Sequence, residues 1–254
     1  MCEMFGVSAR KPAAVNDLLR EFFSHSERHG NGWGMAVFRG GLVSVEKEPV
    51  QAIHSDYLRE RLRNRIEERS MIAHIRLATV GSTEYDNCHP FVGWDNSGRC
   101  WTLAHNGTIF HYPAHEPYRA VQKGQTDSER ILHYLMDCID RRQQALGRAL
   151  TAPERCALLD EQVADMARGN KLNLLIWDGE LLYAHTNYAS SLYSRRQGDA
   201  VFLATTPLGG EDWAELPFTA LCAYRDGERV YEGAPHGHEY RRRSEDKDVQ
   251  PLGH

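Results

Sequence analysis

Two dipeptides in the second half of the chain, Asp178-Gly179 and Asp226-Gly227, constrain the fold more tightly than any other feature. Each separates a pair of short apolar runs, 172–177 from 180–184 and 220–224 from 229–231. Asp-Gly readily adopts the positive-φ conformations of a tight hairpin turn, so this half is expected to be largely antiparallel β. Arg39-Gly40-Gly41 predicts a further hairpin between 34–38 and 42–45. Helical periodicity alternates with these runs. Val15, Leu18, Leu19, Phe22 and Phe23 form one apolar face over 13–28, and a second helix is expected over 51–66. Thr126-Asp127-Ser128-Glu129 has the spacing of a capping box ahead of Ile131, Leu132, Leu135, Met136 and Ile139. Pro153 and Gly169 bracket a fourth helix. Strands are expected over 71–77 and 101–104, joined by a long polar loop. Strand pairs interleaved with helices imply an α+β protein in which helices cover antiparallel sheets.

Composition narrows the function classes. The chain has 254 residues, 41% of them hydrophobic, enough for one domain with a sizeable core. A net charge of −5 leaves no basic footprint for nucleic acid, and Arg241 to Arg243 are answered at once by Glu245, Asp246 and Asp248. No run approaches the ~18 apolar residues of a membrane span, and residues 1–30 lack a signal peptide's apolar core. A cytoplasmic protein is expected, without membrane or nucleic-acid partners. The six cysteines form no C-x-x-C pair, which argues against a zinc site or a disulfide framework. Residues 235–254 are too polar to pack and are expected to form a flexible tail.

Four features could carry chemistry. Cys2 follows Met1 directly, and its small side chain permits removal of Met1. A thiol near ~8.5 and an α-amine near ~7.7–8.0 would then share one residue, a nucleophile with its own base. The competing reading is an ordinary residue at position 2. Asn106-Gly107 ends a strand, where a side-chain amide and an unhindered N–H could stabilise an oxyanion, although the dipeptide alone favours a hairpin turn. Arg76, on an otherwise apolar strand, needs a carboxylate from a substrate or from within the protein. Asp127 either holds an ammonium or is a helix-start carboxylate stabilised by the macrodipole. His111 and His115 are four apart, but Pro113 between them argues against aligned metal ligands.

Taken in order, these blocks resemble the class II glutamine amidotransferase family, most closely its stand-alone YafJ-type members. The resemblance rests on Met1-Cys2-Glu3-Met4-Phe5-Gly6, His29-Gly30-Asn31-Gly32-Trp33-Gly34, Arg76-Leu77-Ala78-Thr79 and Asn87-Cys88-His89-Pro90-Phe91. It continues through His105-Asn106-Gly107, Thr126-Asp127-Ser128-Glu129 and Ala204-Thr205-Thr206-Pro207-Leu208. It implies a four-layer αββα sandwich of the N-terminal-nucleophile (Ntn) hydrolases, with two antiparallel sheets between helical layers, over residues 2–234. Cys2 would be the nucleophile and its α-amine the general base, with Asn106 and Gly107 as the oxyanion hole. Arg76 would bind the α-carboxylate of a glutamyl group and Asp127 its α-ammonium. Thr79 and His89 bound a loop expected to fold over the substrate, and Trp33 would shape the site beside the nucleophile. No cofactor or metal is implied.

The activity implied is cysteine-dependent hydrolysis of the γ-amide of glutamine, or of a related γ-glutamyl compound, through a γ-glutamyl thioester on Cys2. Leu77 stands where the hexosamine-synthesising branch has Trp beside its ammonia route, which favours uncoupled hydrolysis. Stand-alone branches acting on γ-glutamyl substrates in glutathione breakdown and ergothioneine synthesis point the same way. One alternative is a glutaminase subunit that supplies ammonia to a separate synthase. Another is an inactive γ-glutamyl-binding protein, if Met1 is retained. The stretch 110–125 is the sequence's candidate for contacting the leaving group.

Overall fold

A computed structural model describes residues 2–242. The first strand, β1 (Glu3–Ala14), leads into α1 (Asn16–Ser24), the hairpin β2 (Trp33–Arg39) and β3 (Leu42–Glu48), α2 (Asp56–Arg63) and β4 (Glu67–Ile75). After a long loop come β5 (Phe91–Trp94), β6 (Cys100–Thr108), α3 (Asp127–Leu146) and α4 (Ala152–Met166). The hairpin β7 (Lys171–Trp177) and β8 (Leu182–His185) follows. Then come β9 (Tyr193–Gln197), β10 (Ala200–Ala204), β11 (Ala214–Glu215), β12 (Leu221–Arg225) and β13 (Glu228–Glu232).

The strands form two antiparallel sheets. One has seven strands in the order β11-β9-β10-β1-β4-β2-β3, the other six in the order β13-β12-β8-β7-β6-β5. Three apolar clusters separate four layers. Phe5, Val7, Met35, Val37, Met71 and Ala73 pack outward from the first sheet onto Leu19, Phe22 and Phe23 of α1 and Leu58 of α2. Met4, Ala36, Phe38 and Ile72 meet Ala104, Leu175, Trp177 and Ala184 between the sheets. Leu103, Leu174, Ile176 and Tyr183 face outward from the second sheet onto α3 and α4. The architecture is therefore the expected αββα sandwich. Alternating residues of one strand supply different cores, as period-2 side-chain placement requires.

Local signals account for most element ends. Asp226 and Gly227 both take positive φ, 52° and 78°, in the β12–β13 turn. In the β7–β8 turn Asp178 accepts N–H bonds from Glu180 and Leu181, while its other oxygen takes Arg155 Nε at 2.6 Å. That buried pair ties α4 to the hairpin. Thr126 caps α3 through the Glu129 N–H, but Glu129 turns its carboxylate to the N–H groups of Lys123 and Gly124, so the capping box is half formed.

The tail expectation needs correction. Residues 235–242 are held to the body: His236 N donates to Thr219 O and Tyr240 N to Asn187 O. Tyr240 stacks on Phe110 with centroids 5.7 Å apart. Backbone pairing and the contacts of Tyr240 with Phe110 and Tyr188 outweigh the segment's polar composition. Residues 243–254 and Met1 lie outside the described residues. Among the described residues no helix is long and apolar enough to cross a membrane.

Candidate active site

One end of the sandwich collects the chemistry. β1 pairs with β4 so that Glu3 lies opposite Ile75, which brings Cys2 and Arg76 side by side where these two interior strands of the first sheet end. Cys2 Sγ sits 3.4 Å from both the Leu77 N–H and the Leu77 carbonyl. Thr205 fixes the strand start, its Oγ1 accepting from Met4 N at 3.1 Å. Burial pushes the Cys2 thiol upward, opposed by the Leu77 hydrogen bond and by the charges of Arg76 and Lys171. Such a thiol needs a base or a cation to become a thiolate at neutral pH.

Asn106 and Gly107 are not a turn. They lie inside β6, opposite Asn173 and Leu172 of β7, and this excludes the hairpin reading. Asn106 is two residues from Ala104 on the face between the sheets, the same face onto which Met4, two residues from Cys2, projects. The β6–β7 ladder runs on unbroken to Thr108 and Lys171. Leu172 N donates to Asn187 Oδ1, and His105 Nε2 contacts the Lys171 carbonyl at 3.2 Å. His105 points to the helical side, where its Nδ1 meets Ser128 Oγ at 3.0 Å.

Asp127 opens α3 beside the end of β6. One of its oxygens accepts the Ile109 N–H at 2.7 Å, and it has no Lys or Arg partner within 4.0 Å among the described residues. Arg76 also lacks an acidic partner within that range among the described residues. Its terminal N–H groups go instead to the carbonyls of Ser82 at 2.9 Å, Val80 at 2.8 Å, Gly81 at 3.2 Å and Asn31 at 3.4 Å. The guanidinium therefore organises the 79–89 loop rather than presenting an empty fork.

That loop is pinned at several points. Asn31 Oδ1 accepts from Ala78 N and its Nδ2 donates to Thr83 Oγ1, both at 2.9 Å. Buried Asn87 donates to the Ser82 carbonyl and accepts from Gln125 N, joining the loop to the approach to α3. Thr79 is exposed on this loop. His89 is enclosed, its ring 4.1 Å from that of His74 and 4.6 Å from Phe91. Burial holds both histidines neutral, His74 at about 3 and His89 well below its ordinary value.

Trp33 does not face the site. It shares the outer face of β2 with Met35 and Val37, packs edge-on against Phe23, and donates its indole N–H to Glu48 Oε2 at 3.1 Å. Strand parity sends its ring under the helices. The 110–125 stretch divides: Pro113–Ala120 forms a 3-10 segment packed on α3, and Phe110 stacks on Tyr240 of the C-terminal segment. Sequence reasoning passed over Lys171, the buried first residue of β7. Asn31 and Thr205 were visible only as parts of longer motifs. Among the described residues no cluster of three or more His, Cys, Asp or Glu is placed to hold a metal ion.

Two antiparallel sheets stacked between helical layers, with the N-terminal strand inside one of them, is the architecture of the Ntn hydrolases. Residues 1–199 match the family described as "Glutamine amidotransferases class-II", and the chain belongs to that family. The family's general chemistry is hydrolysis of the glutamine amide. An uncharacterized protein of Methanocaldococcus jannaschii, MJ1515, is 31% identical over 259 residues, covering 91% of this chain and 71% of that one. YafJ of Escherichia coli, which carries a provisional glutamine amidotransferase name, is 28% identical over 208 residues, 77% of each chain. The glutamine phosphoribosylpyrophosphate amidotransferase of Bacillus subtilis shares the fold, with a TM-score of 0.57 at 17% identity. The match covers 91% of this chain and 48% of that enzyme, so this chain spans about half its length.

Proposed function

We propose that the protein hydrolyses the γ-amide of glutamine or of a γ-glutamyl compound through a thioester on Cys2. What supports this reading is that β1 and β4, which lead from Cys2 and into Arg76, pack against β6, which carries Asn106 and Gly107. Once Met1 is removed, the Cys2 α-amine accepts the thiol proton and sulfur attacks the γ-carbonyl carbon. The oxyanion is stabilised by the Asn106 side-chain amide and the Gly107 N–H. Collapse breaks the C–N bond, and the amine leaves with the proton held by the α-amine. Water then attacks the thioester, releasing glutamate and restoring the thiol.

Arg76 and Asp127 hold the unreacting end of the glutamyl group. A buried guanidinium without an acidic partner among the described residues attracts a carboxylate, and some carbonyls of residues 80–82 yield when it binds in a bidentate manner. Thr79 rides on the loop that closes over this end, while His89 contributes by packing beneath it. The catalytic domain is assigned to residues 2–234.

Intact-mass measurement together with a substrate panel tests the reading. The Met-processed enzyme should release glutamate from glutamine, a γ-glutamyl peptide or a γ-glutamyl anilide, and Cys2→Ala should abolish this with near-unchanged melting. Retained activity in the variant would remove Cys2 from the mechanism. Strong preference for glutamine with free release of ammonia would favour a subunit that serves a separate synthase. A mature chain that keeps Met1 and turns over nothing would leave only a binding role.

A further inference from the structure

The two groups proposed to hold the glutamyl end come from different layers. Arg76 follows β4 of the first sheet, whereas Asp127 opens α3, which packs on β5 and β6 of the second. A carboxylate and an ammonium carried on one α-carbon can be held together only if their anchors keep a fixed separation. One buried side chain spans the gap between the surroundings of the two. Asn87, in the 3-10 turn Tyr85–Asn87, is fully buried. Its Nδ2 donates to the Ser82 carbonyl at 3.0 Å, and that same carbonyl accepts from Arg76 at 2.9 Å. Its Oδ1 accepts from Gln125 N at 2.7 Å, two residues before Asp127.

These partners dictate which way the carboxamide faces. A carbonyl can only accept and a backbone N–H can only donate, so the bridge needs a donor at one end and an acceptor at the other. Gln125 closes it from the opposite side, its Oε1 accepting from Ser82 N at 2.8 Å. The space is cut to the amide. A Cβ added to Gly81 would press on Asn87 Nδ2, and one added to Gly124 would overlap Asn87 Oδ1. The far side of the bridge is stiff. Glu129 accepts from Lys123 N and Gly124 N at 2.8 Å, while Thr126 accepts the Glu129 N–H. Residues 123–129 therefore move as one piece, and a displacement of Gln125 displaces Asp127 with it.

We propose that Asn87 is a positioning residue that sets the separation of Arg76 and Asp127, and so makes the site selective for acyl groups carrying both an α-carboxylate and an α-ammonium over those carrying the carboxylate alone. This rests on the hydrolase reading above and identifies what enforces the substrate class of that site. Asn87 acts through the Ser82 carbonyl on the Arg76 side and through the Gln125 backbone on the Asp127 side.

The test compares γ-glutamyl-p-nitroanilide with glutaryl-p-nitroanilide, which differ only in the α-ammonium, on the Met-processed enzyme. The wild type should favour the first in kcat/KM by about 10- to 100-fold, the range for a charge-assisted contact. Asn87→Leu, similar in size but with neither donor nor acceptor, should cut that preference about tenfold, the loss falling on KM and only for the γ-glutamyl substrate. A residue that served the fold alone would weaken both substrates equally, and an unchanged preference overturns the assignment. Gln125→Ala, at an exposed position, keeps the test open should Asn87→Leu fail to fold. It removes one hydrogen bond of the bridge and should reduce the preference about threefold with near-unchanged melting. An undiminished preference there overturns the assignment as well. A wild type that cleaves neither anilide, nor glutamine, breaks the hydrolase reading beneath it. The ratio of glutamate to glutarate affinities, measured by calorimetry on the same proteins, then decides the role of Asn87 by the same criterion.

Discussion

Gly107 lies where β6 passes the start of β7 so closely that an added Cβ would overlap the Lys171 carbonyl and the His105 imidazole. Neither neighbour can retreat, because one is strand backbone and the other is held by Ser128. Gly107→Ala should destabilise the fold by roughly 2–3 kcal/mol, the upper part of the range for overpacking. Catalysis should fall with it, since Asn106 sits on the same strand. Gly30 is the control: a methyl added there would meet nothing within 4 Å, so Gly30→Ala should unfold in urea close to the wild type. Equal midpoints for both variants would contradict the close approach. At this scale the sequence announced residue types better than directions. Cys2, Arg76 and Asp127 drew notice because a thiol directly after Met1 and charges within apolar patterns are unusual, but only the family motifs gave them their proposed roles. Trp33 was misplaced because a motif gives proximity along the chain and not the parity that turns the ring outward. Lys171 gave no signal, since a lysine at a strand start ordinarily reads as solvated.

The 79–89 loop owes its shape to partners from other elements: Arg76 after β4, Asn31 before β2, and Gln125 before α3. Asn31 is the simplest of these to remove. Asn31→Ala deletes two hydrogen bonds to the loop, worth about 1 kcal/mol each, so local opening should become on the order of 30-fold easier. Amide hydrogen exchange over residues 78–87 should accelerate accordingly while the sheets keep their protection. Unaltered exchange there would mean that Arg76 and Asn87 suffice. The hairpins and helices were legible because Asp-Gly turns and the apolar face of α1 are local signals. β1 was not. It is buried on both faces, so Met4, Phe5 and Val7 make a near-continuous apolar run without alternation, and Pro12 beyond a register shift obscures its extent. β9 and β10 were missed for a related reason, because no Asp-Gly or Asn-Gly pair marks their turn.

Across the whole molecule, buried neutral histidines set an acid limit. His74 and His185 are held at about 3 and His115 at about 4, chiefly by burial. Each lies below the ~6.5 of an unfolded histidine, so between those values the unfolded chain binds protons that the native state refuses. Stability from this source is intact above about 6.5 and declines as pH falls toward 3 to 4. From pH 7 to 5.5 the three together should cost roughly 4 kcal/mol, readable as a lower urea midpoint. A midpoint flat over that interval would show that these rings accept protons in the folded state. The position of β1 carries a different consequence. It lies in the interior of its sheet, with one edge bonded to β4 and the other to β10, where Phe5 pairs with Ala204. During synthesis β1 emerges well before β10, so it stays open along one edge until residues 200–204 have left the ribosome. The strand that carries Cys2 thus waits, half-paired, for a neighbour made long after it.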